Sequence, residues 1–416
     1  MRRRRKTCNN EEFYGNRENP VFCMSPQLRS AVLLWYHIFM TDLTKVKIAK
    51  ILFSARFWVA TMVLYLTSRD ISTALVFQLI GFYYVMSVLL EYPTGVIGDY
   101  YSHRISVFWG YIILALSYIL LSLSGTIWFY GLTLFLLALG GSLVSGSDNA
   151  LLHTVSNNFK KDYSQVKAYG IIVTFLAVSI GGFVSAIDLR IPLYLTAVFL
   201  IGASVMVITT KIRVRGKTEN NNLIGVGIEG LKYAVTNKQL LNIMIVSALI
   251  GAFFFSFKWL YNPLFLSLGL NVASWGVLAG IATLLIAVGI KFYEKFSKLN
   301  VVIATLILLV AVLSVGITSL PIIALAGMFV AHLMRGYFET KLMVDMNAVI
   351  TKSVRSSVLS LNSLLIRAGA TAFMFTGGII LDKFSMMLLM ATSVAIFLLI
   401  GLYPLIKIRK LKFQEN

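Results

Sequence analysis

The sequence predicts an all-α membrane protein in which twelve transmembrane helices form two halves of six. Hydrophobic residues make up 58% of the 416 residues, and the mean hydropathy is +0.82. A helix of about 20 mostly apolar residues crosses a hydrocarbon core of roughly 30 Å. Twelve such segments fill the chain between residues 46 and 406, and the charge of their connections falls almost entirely on one side.

The predicted spans follow one another with short connections. They cover residues 46–67, 73–97, 106–124, 127–151, 165–187, 191–210, 240–266, 272–290, 300–319, 321–346, 356–381 and 384–406. The connections after odd-numbered spans hold only three basic residues, Arg69, Arg190 and Lys383, whereas those after even-numbered spans are rich in Lys and Arg. Because cytoplasmic loops collect Lys and Arg, both termini are predicted to be cytoplasmic, in a multi-pass protein of a bacterial inner membrane.

The sequence predicts five segments. They are a polybasic tail with a candidate interfacial helix (1–45), a six-helix half (46–210), a cytoplasmic linker with an amphipathic helix (211–239), a second six-helix half (240–406) and a basic tail (407–416). A weak repeat supports the two halves, since spans five and eleven both end in Gly-Gly, an apolar stretch and a short acidic-basic turn. Such repeats indicate halves related by an axis along the membrane normal.

The net charge of +20 does not indicate nucleic acid, because the basic residues sit in short clusters between apolar spans. No phosphate-binding loop, metal-ligand cluster or nucleophile-histidine-carboxylate spacing is recognisable in the sequence. We therefore expect neither an enzyme nor a resident cofactor. A lipid bilayer, a small-molecule substrate and protons are the expected partners, and a monomer is the expected state.

The segment EYPTGVIGDYYSHR (91–104) at the end of span two resembles the signature of the major facilitator superfamily, through Gly95, Asp99 and Arg104. With SGSDNALL (145–152) and VRSSVLSLNSLLIRAG (354–369), it looks like the bacterial drug-exporter-like branch. The resemblance implies a gating loop that latches the halves together, formed by Glu91, Gly95, Gly98, Asp99 and Arg104. Gly95 and Gly98 would admit a neighbouring helix, and Asp99 would accept hydrogen bonds from the start of span eleven.

Ionisable residues inside the spans are the candidate substrate and proton site, because such residues usually face the bundle interior. They are Arg56, Asp148, Lys258, His332, Arg335, Glu339 and Arg367, beside Glu91 of the gating loop. In the resembled fold, spans one, four, seven and ten line the central cavity. Spans three, six, nine and twelve, which stand outside in that fold, carry no such residue. The alternative is that these residues only hold helices together.

Specific contacts are expected for several of these residues. Arg56 is predicted near the midplane, paired with Asp148 or Glu91. Arg335 and Glu339 are spaced to pair along one helix face, whereas Arg367 is satisfied either by an acid or by backbone carbonyls. Lys258 is expected to contact rings among Phe254, Phe255 and Tyr261. His332 either carries a proton in a wet cavity or only hydrogen-bonds a neighbour.

These observations favour a secondary active transporter that exports a small amphipathic compound by alternating access, in exchange for protons. Asp148 and Glu339 would carry the protons, with Arg56 and Arg335 as their charge partners. An uptake carrier or a uniporter uses the same architecture. A membrane sensor or assembly protein that has lost transport is the alternative from another class.

Overall fold

The computed structural model describes residues 41–123, 125–211, 231–351 and 354–409 as helices and their connections. Within this part, 10 helices are long and apolar enough to cross a membrane. The remaining two crossings are span one, which is divided, and the shorter apolar helix Val301–Val315. The prediction of an all-α protein with twelve spans is confirmed.

The first half contains spans one to six. They are span one in three pieces (Asp42–Phe53, the 3-10 helix Phe57–Ala60 and Met62–Thr67), span two (Thr73–Tyr100), span three (His103–Leu123), span four in two pieces (Ile127–Val144 and Ser147–Val155), span five (Phe159–Ser185) and span six (Ile191–Ile208). Several begin at a side-chain cap, as where the Ser72 hydroxyl accepts from the Leu75 N–H at 3.3 Å. Such caps satisfy N–H groups that lack a partner within the helix.

The second half contains spans seven to twelve. They are span seven in three pieces (Lys238–Phe257, the 3-10 helix Lys258–Leu260 and Tyr261–Ser267), span eight (Val272–Lys295), span nine (Val301–Val315), span ten (Pro321–Val349), span eleven (Arg355–Lys383) and span twelve (Met386–Arg409). The candidate interfacial helix, residues 212–230 of the linker and residues 410–416 of the basic tail lie outside the described residues. Residues 231–236, at the end of the predicted linker, are helical.

Three spans are interrupted inside the bundle. Span one leaves helical geometry at Arg56 (φ −104°, ψ 81°), and span four breaks at Gly146, whose φ of 77° favours glycine. Span seven passes through a 3-10 turn at Lys258–Leu260. Within a membrane, irregular backbone is tolerated only where protein buries it or where it lines a cavity. The interruptions therefore mark a protein-lined interior.

Spans six, nine and twelve present apolar side chains outward, as expected for helices against lipid. Val198 is 61% exposed, Val310 66% and Leu399 84%. These three spans therefore contribute an apolar outer surface.

The two halves approach each other most closely toward one end of the bundle. We call this the neutral end; it includes connections 68–72, 186–190, 268–271 and 316–320. We call the opposite end of the bundle, where the Lys-rich and Arg-rich connections lie, the basic end. Span five packs backbone against backbone on span eight at Gly182 and Gly276, and span eleven packs on span two at Gly378 and Phe77. Both contacts lie in the neutral-end half of their helices. The two halves are thus packed closely together at the neutral end.

Candidate functional site

Arg56 lies at the interruption of span one and points into the interior. Polar side chains of neighbouring spans satisfy the broken backbone: the Thr174 hydroxyl donates to the Ser54 carbonyl at 2.9 Å, and the Phe57 N–H donates to the Thr196 hydroxyl at 3.3 Å. The Arg56 side chain is solvent-exposed, with its guanidinium carbon 5.2 Å from the Phe53 ring centroid. It lines a cavity of about 110 Å³ that Lys258 also lines.

The predicted ion pair between Arg56 and an acid is wrong. Asp148 is instead paired with Lys50, whose ammonium also donates to the Asn149 side-chain oxygen at 2.9 Å. The break at Gly146 places Asp148 in the first turn of a new helix, where a carboxylate is favoured. Lys50 lies before the break in span one, on the continuous part that packs against span four. Arg56, beyond the break, is directed elsewhere.

Glu91 and Arg367 pair across the two halves. Two guanidinium nitrogens of Arg367 donate to the two carboxylate oxygens of Glu91, at 2.5 and 3.2 Å. The Ser145 hydroxyl also donates to Glu91, at 3.3 Å. Of the two alternatives for Arg367, the acid is therefore the partner. This pair joins span two to span eleven on the basic-end side of the closed region.

In span ten, the predicted pair of Arg335 and Glu339 is confirmed, with the Arg335 Nε atom 2.6 Å from a Glu339 oxygen. The Arg335 guanidinium also lies 5.8 Å from the Phe254 ring centroid. Both side chains remain accessible, at 25% and 46%. Span ten therefore contributes a cation and a carboxylate to the interior on adjacent helical turns.

His332 is buried, with 1% of its surface exposed. Its Nδ1 atom lies 2.8 Å from the Met328 carbonyl oxygen and its Nε2 atom 2.8 Å from the Tyr261 hydroxyl. A carbonyl only accepts, so Nδ1 carries the proton and Nε2 accepts from Tyr261. The structure thus shows His332 hydrogen-bonded to neighbours. It lies among the rings of Phe254, Phe257 and Tyr261.

Lys258 lies at the 3-10 turn of span seven. Its ammonium is 5.2 Å from the Phe255 ring centroid and 5.1 Å from that of Trp259. The predicted contact with Phe255 is confirmed, but Trp259 takes the place of Phe254 and Tyr261, which pack against His332. Trp259 in turn stacks on Trp58 of span one, with centroids 5.4 Å apart and planes inclined by 23°.

Asn262 of span seven hydrogen-bonds to two backbone groups of span one. Its side-chain nitrogen donates to the Ala60 carbonyl at 2.7 Å, and its side-chain oxygen accepts from the Leu64 N–H at 2.6 Å. An unbroken helix would join that carbonyl and that N–H directly, four residues apart. The Asn262 amide is thus inserted into the helix ladder of the other half. This contact closes the neutral end.

Of the predicted gating loop, Glu91 pairs with Arg367 of the other half, whereas Gly98 and Arg104 contact their own half. A Cβ atom built on Gly98 would lie 2.6 Å from the Ser147 hydroxyl oxygen, so Gly98 packs closely against span four. A Cβ atom built on Gly95 would have no neighbour within 4 Å. Only one of the two glycines therefore admits a neighbour. Arg104 donates to the Ile208 carbonyl of span six. The Asp99 side chain lies outside the described part of the structure.

The sequence model of the Major Facilitator Superfamily matches residues 48–372, most of both halves. The chain belongs to the major facilitator superfamily. No curated protein sequence matches it.

Solved transporter structures share the fold of this superfamily member. The nucleoside transporter NupG gives a TM-score of 0.74 at 14% identity, covering 90% of this chain and 100% of that one. A bacterial homologue of the human lysosomal transporter Spinster, inward-facing and unoccupied, gives 0.69 at 15% identity, covering 93% and 98%. A D-xylose-proton symporter gives 0.66 at 14% identity, covering 88% and 97%. At these identities the likeness concerns the fold.

The sequence analysis of this superfamily member missed several interior residues: Lys50, Trp58, Tyr84 and Trp259. Among these, Lys50 has a visible signal, a lysine six residues before Arg56 in an apolar segment. Tyr84 accepts from the Trp259 indole nitrogen at 2.7 Å and donates to the Phe255 carbonyl at 3.0 Å. Tyrosines and tryptophans are common in spans, so their sequence positions alone do not distinguish such a network from packing.

Proposed function

We propose that this protein is a secondary active transporter that exports a small amphipathic compound in exchange for protons. One observation carries the proposal: Arg56 of span one and Lys258 of span seven line a cavity inside the bundle, and the two halves pack closely at the neutral end. Charges inside a membrane protein usually face a pathway or a binding site. Membership of the major facilitator superfamily supports movement of a small molecule by rocking of the halves.

Two carboxylates are proposed to carry protons. Asp148 holds Lys50, and Glu339 holds Arg335. Protonation of either carboxylate removes its negative charge and releases the partner cation, which changes the charge of the passage. The exchange of a proton for substrate follows from this change. The structure suggests Lys50, instead of Arg56, as the partner of Asp148 in this step.

The proposed direction and membrane rest on the sequence. The basic end is assigned to the cytoplasm of a bacterial inner membrane because it carries the Lys-rich and Arg-rich connections. Export is favoured by the exporter-like segments at 91–104 and 145–152. Uptake is the second candidate, favoured by the similarity to a D-xylose-proton symporter and a nucleoside transporter.

The test uses purified protein in liposomes that contain a pH-sensitive dye. A panel of amphipathic aromatic compounds is added, and compound and proton movements are recorded together. We expect at least one compound to move against a proton flux in the wild type. D148N and E339Q should abolish the proton movement, whereas K383Q, a change of an exposed lysine at the neutral end, should leave it intact.

The alternatives give different results in the same vesicles. Proton and compound moving in one direction would indicate uptake, and compound movement without protons would indicate a uniporter. Unimpaired coupling in the D148N/E339Q double variant would remove both residues from the proton pathway. No compound movement in any direction, with a passage that never changes its accessible side, would indicate a sensor or assembly protein.

A further inference from the structure

The passage contains more positive than negative charge. Arg56 of span one and Lys258 of span seven line the cavity, and neither has a carboxylate partner among the described residues. Arg335 of span ten lies 5.8 Å from the Phe254 ring centroid and is paired with Glu339. The charged ends of Arg56 and Lys258 lie against aromatic rings of Phe53, Phe255 and Trp259.

The acidic residues Asp148 and Glu91 are paired with other cations. Asp148 is held by Lys50, and Glu91 by two nitrogens of Arg367. Neither is free to neutralise Arg56 or Lys258 in this conformation. Charges in a low-dielectric interior are stable only when paired or solvated. The two remaining cations therefore create a site that favours an incoming anion.

Aromatic side chains form the closed end of the same site. Trp58 and Trp259 stack on each other, and Trp58 lies 6.0 Å from Tyr118, centroid to centroid. These rings line the cavity with Arg56 and Lys258, as does Tyr83. A planar ligand body would extend this group of stacked and tilted rings, because offset or tilted ring contacts add to the burial of apolar surface.

We propose that the passage binds an organic anion with an aromatic or planar body. Its carboxylate, sulfonate or phosphate group lies between Arg56 and Lys258, and its ring lies against Trp58 and Trp259. The inference rests on the proposed transport function and gives the chemical class of its substrate.

The charge of the passage is measured with a cysteine reporter, which requires no known substrate. Gly141 lines the cavity, and a Cβ built there has nothing within 4 Å, so G141C is introduced with Cys8 and Cys23 changed to Ser. Its reaction rates are compared for three methanethiosulfonates: anionic sulfonatoethyl, cationic trimethylammonioethyl and neutral methyl. Each rate is divided by the rate with free 2-mercaptoethanol.

The anionic reagent should react about tenfold faster than the cationic one, since focused positive charge raises the local concentration of anions. R56Q/K258Q should lower this ratio about fivefold or more, while R56K/K258R and the control K383Q should preserve it. An unchanged neutral rate shows that each variant is folded and accessible. A ratio near one, a preference for the cation, or a ratio unaffected by R56Q/K258Q would overturn the proposal while leaving the passage itself intact.

The aromatic component is tested by protection of the same reporter. Sodium 2-naphthoate should slow the neutral reagent at a lower concentration than sodium acetate, and the naphthalenemethylamine cation should protect less than the naphthoate. Equal protection by naphthoate and acetate, including none by either, would overturn the aromatic component. No reaction with any reagent from either membrane side would contradict the open passage of the proposed function, and the anion site with it.

Discussion

At the scale of single residues, the most consequential contact is that of Asn262. Its amide satisfies one donor and one acceptor of the interrupted span one, and it belongs to the opposite half of the molecule. Asn262 is 3% exposed, so its two backbone partners depend on its amide in this structure. A buried polar group that loses its partner costs about 1–3 kcal/mol. The contact therefore stabilises the state with a closed neutral end.

We predict that N262A shifts the protein toward an open neutral end. An impermeant maleimide added at the neutral end should modify G141C faster by about fivefold or more, because two buried backbone groups lose their partner. N271A is the matched control: Asn271 caps span eight at the same end with an exposed 2.9 Å bond to the Ala273 N–H. It should lower stability by about 1 kcal/mol without changing access. Equal labelling in the two variants would contradict the assignment.

At the scale of elements, three of the four cavity-lining spans break beside a charged residue. Arg56 is at the break of span one, Asp148 follows Gly146 in span four, and Lys258 begins the 3-10 turn of span seven. Discontinuous helices supply backbone groups and direct side chains at binding sites of other transporters. Span ten is continuous and instead places Arg335 and Glu339 on one face.

The glycine crossing of spans five and eight gives a second prediction. A Cβ at Gly276 would lie 2.7 Å from the Gly182 nitrogen and 2.8 Å from its Cα, which are backbone atoms that cannot yield. G276A should therefore separate the two spans at the neutral end, at a cost of about 1–3 kcal/mol, and reduce transport. G131A is the control, because nothing lies within 4 Å of that position. Wild-type transport rates in G276A would contradict the close crossing.

The sequence predicted the spans well because length and hydropathy are local properties. It did not predict the interruption at Arg56, because that break depends on polar side chains from other spans. The break at Arg56 is satisfied by Thr174 and Thr196, and the neighbouring turn by Asn262. The pairing of Asp148 with Lys50 was not predicted from the sequence for the same reason. The break in span one determines that Lys50, and not Arg56, faces span four. The i, i+4 pair of Arg335 and Glu339 was predictable because it lies within one helix.

At the scale of the whole molecule, the two halves close on each other in an equivalent way. The second glycine of each Gly-Gly pair in the sequence repeat contacts the opposite half: Gly182 contacts span eight, and Gly378 contacts Phe77 and Ala74 of span two. The repeat thus corresponds to a pair of related crossings at the neutral end. The single Trp58–Trp259 stack and the Asn262 contact lie between them. This arrangement suits a rocking motion about the enclosed charges.

Alternating access is tested most directly by spin-label distances in lipid nanodiscs. One label pair, at Ile187 and Leu320, reports the distance between the halves at the neutral end. A second pair, at Asn158 and Lys298, reports it at the basic end. All four side chains are exposed. We predict two populations whose distances change in opposite senses at the two ends, with N262A enriching the one that is open at the neutral end. One unchanging distance at each end, in the wild type and in N262A alike, would contradict the account.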